Sequence, residues 1–219
     1  MIMSAITPQS APGRTALLMI DFQRDFCEEG GYAGKYVAGL DWVRPIIPPA
    51  RRLLDAARAA GLLVVHTREG YAPDLSDCSP MNLARSRKSD SEIGSMGPMG
   101  RLLIRGERGH GIIDELAPES GEIVIDKASY GAFCGTRLEQ ILRGRGITNL
   151  VLAGITADVC VHTTLREATD RWFSCHYVAD AISCFDPSIR KACERMIEEE
   201  GGIWGTLTNV VRVTQDWAC

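Results

Sequence analysis

Short apolar runs alternate with amphipathic stretches along the chain, with no internal repeat and no low-complexity linker between them. Ala16–Asp21 (ALLMID), Leu62–Thr67 (LLVVHT), Glu122–Asp126 (EIVID) and Asn149–Ile155 (NLVLAGI) read as buried strands, and Cys175–Ala179 and Val210–Val213 as two more. Pro45–Ala60 carries helical spacing at Ile46, Leu53, Leu54 and Ala57, and Gly61 ends it. Further helices are predicted over Thr136–Arg145, from about Asp158 to Trp172, and near Pro187–Glu200. Strands that are apolar throughout and alternate with helices predict an α/β fold. Its mostly parallel sheet should be covered on both faces, with right-handed crossovers. Gly70–Gly111 breaks this rhythm. It is rich in Gly, Ser, Pro, Met and Arg; a connection of that length reads either as a lid or subunit contact or as a plain surface excursion.

Composition narrows the class without changing this outline. The 219 residues suffice for one domain with a full core, and 45% hydrophobic with 24% charged residues is ordinary for a soluble globular chain. A formal net charge of −4 argues against nucleic acid or an anionic membrane as partner. No apolar run approaches the roughly 20 residues that span a bilayer. Met1–Arg14 is polar and Pro-containing, lacks the apolar stretch of a secretory signal, and reads as a flexible lead-in to one domain over residues 15–219. The reducing cytoplasm is then the default location. The eight cysteines include no C-x-x-C pair and are expected mostly as small buried hydrophobes.

Chemistry is expected where an open parallel sheet binds ligands, beyond the carboxyl ends of its strands. Strand one ends at Asp21, strand three at Asp126-Lys127, and strand four runs through Gly154–Val159 into Cys160. Cys160 falls in the first turn of the following helix, where free N–H groups and the helix dipole favour an anion. That position, with a nearby ammonium, is expected to lower the thiol pKa. Location alone leaves Cys160 balanced between a nucleophile and an ordinary buried cysteine. By position alone Lys127 reads first as a solvated lysine and Asp21 as a turn former or cap. Together an acid, an ammonium and a thiol make a workable set: the acid takes the thiol proton and returns it to a leaving nitrogen, and the cation steadies the negative charges.

Asp21 in LLMIDFQRDFC, Lys127 in IDKASYGAF and Cys160 in LAGITADVCVHTT together resemble the isochorismatase-like cysteine hydrolases, over roughly Thr15 to the C-terminus. The resemblance implies a three-layer α/β/α sandwich and an Asp21–Lys127–Cys160 triad. It also implies a cis peptide before Thr156, with the N–H groups of Thr156 and Cys160 as an oxyanion hole. Nicotinamidases of the family carry an Asp/His metal cluster after strand two. Here that strand ends His66-Thr67-Arg68-Glu69-Gly70 without a second histidine, so no metal and no cofactor is expected. DFCEEGGY, HTREGYAPDL, IRGERGHGIIDEL and GGIWGTLTN are similar to the amidohydrolases of urea-like substrates. A small ureide such as biuret or triuret is the expected substrate, cleaved through a Cys160 thioester with release of ammonia. A ureidoacrylate or N-carbamoyl-amide hydrolase and a nicotinamidase-type amidase are the alternatives; the intact triad argues against a non-catalytic binding domain. The resemblance also implies a homo-oligomer, often a tetramer.

Four further residues are candidate substrate contacts. Phe26 and Tyr130 could flank a small planar substrate, each being equally readable as packing, and Glu69 could meet substrate amides or hold Arg68. Glu200-Gly201-Gly202 stands where biuret-hydrolase-like relatives tend to carry Gln-Gly-Gly. A carboxylate only accepts hydrogen bonds, so Glu200 would favour the longer triuret if it reached the pocket; otherwise it is an exposed acid at a helix end. Arg85, Arg87 and Lys88 read first as a solvated face, and second as a set that attracts an anion.

Overall fold

The computed structural model describes residues 12–32, 39–88 and 91–217; most of the N-terminal lead-in lies outside them. Six strands form one sheet: β1 (Thr15–Ile20), β2 (Leu63–Glu69), β5 (Ile123–Lys127), β6 (Asn149–Ile155), β7 (Ser174–Ser183) and β8 (Thr206–Thr208). They lie in the order β5-β2-β1-β6-β7-β8, every neighbouring pair parallel. β1 and β6 are buried along their whole lengths, which is why both read as unbroken apolar runs rather than alternating ones.

Side chains of a strand point alternately to its two faces. Leu17 and Met19 of β1 accordingly join one core with α2 (Ile47–Ala59) and α7 (Val210–Gln215). Ala16, Leu18 and Ile20 join the other, with α4 (Leu138–Gly144), α5 (His162–Asp170) and α6 (Pro187–Glu198). This is the sheet covered on both faces that the pattern predicts, and the three-layer α/β/α sandwich that the family resemblance implies. Among the described residues no helix is long and apolar enough to cross a membrane.

Two local readings change. Val210–Val213 is helical, and the last strand precedes it at Thr206–Thr208. Asn209 caps the helix, its side chain accepting from the Arg212 N–H at 2.9 Å. Val210 and Val213 are buried while Val211 is exposed. A cap plus a three-residue apolar period outweighs the strand preference of valine. The helix after β6 also starts differently, with a π-helical turn over Ala157–Val161 before α5.

The excursion after β2 is a packed part of the fold. It holds α3 (Pro80–Lys88) and a hairpin of β3 (Met96–Gly97) with β4 (Gly100–Arg101), and its Tyr71, Ile93, Leu103 and Ile104 are buried in the first core. The short helix α1 (Arg24–Cys27) fastens its end: Arg24 N–H donates to Gly111 O and Asp25 N–H to Gly109 O, both at 2.8 Å. The buried Asp25 carboxylate also accepts from Leu103 N–H at 3.1 Å. Burial lifts the Asp25 pKa to about 6, against the Leu103 N–H, which lowers it.

Below its ordinary pKa of 3.8 Asp25 is neutral in both folded and unfolded chains. Between 3.8 and about 6 the unfolded chain ionises first, so stability falls as pH rises; above about 6 the loss is complete and constant. Asp25→Asn should therefore gain on the wild type by roughly 2–3 kcal/mol between about pH 4 and pH 7, measured by urea unfolding. A pH-independent difference would contradict this account.

Candidate active site

The strand order sets four polar residues side by side at the carboxyl edge of the sheet. β5 ends on Lys127, β2 on Glu69, β1 passes into Asp21, and β6 passes through Thr156 to Cys160. Register enforces the proximity: Glu69 pairs with Lys127, Ile20 with Thr67, and Ile20 with Gly154. Gly154 has φ +143, and a Cβ there would lie 2.2 Å from the Ile20 carbonyl oxygen, so only glycine lets β6 run this close to β1 at the site.

Lys127 Nζ lies 2.7 Å from Asp21 Oδ2, and neither side chain is exposed at all. The ammonium also donates to Ser129 O at 2.9 Å. Asp21 adopts a left-handed backbone, φ 55, at the point where β1 stops, a conformation an aspartate tolerates better than most residues. Thr67 holds it there: its carbonyl accepts from Asp21 N–H at 3.2 Å, and its hydroxyl donates to Asp21 Oδ1 at 2.6 Å. Burial works against the Lys127 charge, yet Asp21, Cys160 and Glu69 around it raise its pKa above the ordinary lysine value.

Cys160 sits in the π-helical turn, buried, with Sγ 3.6 Å from Glu69 Oε2. Its pKa is raised well above that of a free thiol, contrary to the lowering expected from its place at a helix start. Burial is the main cause, and Lys127 only partly offsets it while Asp21 and Glu69 add to the rise. The resting group is thus a thiol that needs a base. Asp21, Glu69 and Cys160 each bring a donor atom within 4.8 Å of the others. A metal ion there would compete with the Lys127 ammonium already paired to Asp21.

Glu69 is buried. Its backbone is clasped by Gln23, whose amide donates to Glu69 O at 2.9 Å and accepts from Glu69 N–H at 2.7 Å. Tyr71 OH donates to Glu69 Oε1 at 3.1 Å, Asn82 Nδ2 donates to Tyr71 OH at 2.5 Å, and Tyr130 OH donates to Asn82 Oδ1 at 2.9 Å. Burial raises the Glu69 pKa, against Lys127, which lowers it.

A cavity of about 480 Å³ opens over this edge, a usual size for a small-molecule site. Cys160, Thr156, Glu69, Phe26 and Tyr130 all line it. The Ile155–Thr156 peptide is cis. Glu200 does not line the cavity: it is exposed, beyond the end of α6. That helix leads away from the carboxyl end of β7 over 12 residues, about 18 Å. The loop after Glu200 then returns near the start of β7, where Gly205 packs on Cys175 O. The contact expected of Glu200 is therefore not made within this chain. His66 lies further back in β2, its Nε2 2.9 Å from Glu122 Oε2.

An isochorismatase domain model matches residues 15–208. The chain belongs to the isochorismatase family. Membership makes it a hydrolase of a family whose solved members share this sheet. The ureidoacrylate amidohydrolase RutB of Yersinia enterocolitica is 37% identical over 163 residues, 70% of this chain and 68% of that protein. Its counterpart in Agrobacterium fabrum is 34% identical, over 72% and 70%. Among solved structures, a cysteine hydrolase from Pseudomonas syringae pv. phaseolicola superposes with a TM-score of 0.79 at 27% identity, covering 94% of this chain and 93% of that one. N-carbamoylsarcosine amidase from Thermoplasma acidophilum gives 0.68 at 27%, covering 90% and 96%.

Gln23, Thr67, Tyr71 and Asn82 escaped the sequence reading. Gln23 lies two residues past Asp21 and was findable as a polar residue in a buried stretch; the pairing of Asn82 with two tyrosines depends on how the excursion folds. Removing the ammonium should show how much the edge relies on it. Lys127→Met leaves Asp21 buried without a counter-charge and should cost about 3–5 kcal/mol in denaturant unfolding. Asp21→Asn in the same chain should recover most of that loss.

Proposed function

We propose that this chain is a cysteine-dependent amidohydrolase that cleaves a C–N bond of a small N-carbamoyl compound of the ureidoacrylate kind. The observation that carries the reading is a thiol facing a cavity beside a buried acid–ammonium pair. The substrate class follows the named relatives, one acting on ureidoacrylate and one on N-carbamoylsarcosine. Biuret and triuret, the first expectation from sequence, have no such support, and the displaced Glu200 removes the residue that favoured triuret.

In the reaction the Asp21 carboxylate takes the Cys160 proton as Sγ attacks the ureido carbonyl carbon and a C–S bond forms. The carbonyl oxygen becomes an oxyanion, met by the N–H groups of Thr156 and Cys160. The C–N bond then breaks, and the leaving nitrogen takes the proton from Asp21. Water adds to the carbamoyl thioester, Cys160 leaves with a proton, and the carbamate product decays to carbon dioxide and ammonia. Lys127, paired with Asp21 at 2.7 Å, offsets the negative charge that passes over the site.

Glu69 tunes this chemistry as the second carboxyl. Cys160 Sγ donates to its Oε2 at 3.6 Å, and burial raises the Glu69 pKa, so it takes on a second negative charge beside the thiolate less readily than a free glutamate would.

Cys160→Ala should abolish ammonia release from ureidoacrylate while leaving the unfolding midpoint near that of the wild type. Ammonia release at the wild-type rate by that variant would sink the mechanism. As pH rises through the raised Glu69 pKa, ionisation sets a carboxylate against the thiolate and kcat/KM should fall. Glu69→Gln, which cannot ionise, should lose that alkaline fall in a pH–rate profile; a profile with the same alkaline limb would assign the limb to another group.

A further inference from the structure

The excursion wall of the cavity carries a cation and an unsatisfied hydroxyl that the reaction just described does not use. Asn82, Arg85 and Ser86 of α3 all line the cavity. Their spacing of three and four residues puts them on one helix face. Asn82 is anchored to the Glu69 carboxyl through Tyr71, and Arg85 follows one turn along, about 4.5 Å of rise. Among the described residues Arg85 is the only basic one that lines the cavity, and no acid among them pairs with it. Its neighbour Arg87 is spent on Glu92 at 2.8 Å.

Ser91 comes back against the same helix, its N–H donating to Ser86 O at 3.1 Å. Its side chain is 1% exposed and lines the cavity, yet its Oγ has no hydrogen-bond partner among the described residues. A buried hydroxyl without a partner is costly, and a ligand oxygen would relieve it. Among the described residues Glu69 is the sole carboxyl lining the cavity, and it is engaged by Tyr71 and Cys160.

We propose that Arg85 and Ser91 form an anion subsite that holds the carboxylate of an N-carbamoyl acid while its ureido group lies at Cys160. Arg85 supplies a charge-assisted pair to the carboxylate and Ser91 a neutral donor to the same group. Specificity then follows by charge: an N-carbamoyl acid satisfies both residues, whereas neutral biuret or triuret leaves Arg85 without a counter-charge. The proposal rests on the amidohydrolase reading of Cys160 and adds to it the part of the substrate remote from the reacting bond.

The test compares ureidoacrylate with its methyl ester, matched in length but uncharged, by ammonia release from the wild type and from Arg85→Ala, Arg85→Lys and Ser91→Ala. The wild type should favour the acid. Arg85→Ala should collapse the acid-over-ester ratio of kcat/KM by ten- to a hundredfold, mainly through KM, as expected for loss of a charged hydrogen bond. Arg85→Lys should restore part of it, and Ser91→Ala should lower the ratio less than Arg85→Ala does. An Arg85→Ala variant with the wild-type ratio, or a wild type indifferent to the charge, would overturn the subsite and leave the Cys160 mechanism standing. If the wild type turns over neither compound, the amidohydrolase reading fails and the subsite with it.

Discussion

The ion pair between Lys127 and Asp21 is the constraint around which the rest of this molecule is arranged. Two charges lie 2.7 Å apart with no exposure to water, where desolvation consumes most of what their attraction returns. Such a pair is a poor source of net stability, but it demands support. Asp21 must leave β1 with a left-handed backbone, Thr67 must hold its second oxygen, and Lys127 must arrive from β5 two strands away. The strand order β5-β2-β1-β6 meets all three demands and delivers Cys160 to the same place.

Around that pair the site controls charge by burial rather than by exposure to solvent. The enclosed ammonium is a stronger acid-holder than a surface lysine, the enclosed Glu69 holds its proton more tightly than a free glutamate, and the enclosed thiol resists ionisation. Burial raises the pKa of the two acidic groups, whereas that of Lys127 rises against its burial because Asp21, Cys160 and Glu69 surround it. A thiol in such a place ionises only when its proton has somewhere to go. The excursion contributes the other half of the site. Tyr71, Asn82 and Tyr130 run a hydrogen-bonded line from Glu69 to α3, so the wall bearing Arg85 and the wall bearing Cys160 are held to one another.

Much of this was legible in the chain. Apolar runs located the sheet because β1 and β6 are buried on both faces, and the residues just past the strand ends meet at one edge. The direction of the Cys160 shift was not legible, because a helix start argues for one sign and the depth of burial decides the other. Val210–Val213 misled for a related reason: its valines suit a strand, and only the cap at Asn209 and the contacts of Val210 and Val213 settle a helix. Glu200 was a candidate contact through its resemblance to the Gln-Gly-Gly of relatives, with an exposed helix-end acid as the other reading, and α6 leads away from the site before Glu200 is reached.

By itself, then, the sequence determined the alternation of strands and helices and the layered sheet, which depend on local pattern; strand ends singled out Asp21, Lys127 and Cys160, and only the resemblance to the family joined them into a set. Tertiary structure alone decided which polar groups are sealed from water, which carboxyl lies against the thiol, and that Arg85 and Ser91 line the cavity while Glu200 does not. Those outcomes depend on contacts between segments far apart in the chain, and on the loss of solvent that such contacts impose, which no local pattern records.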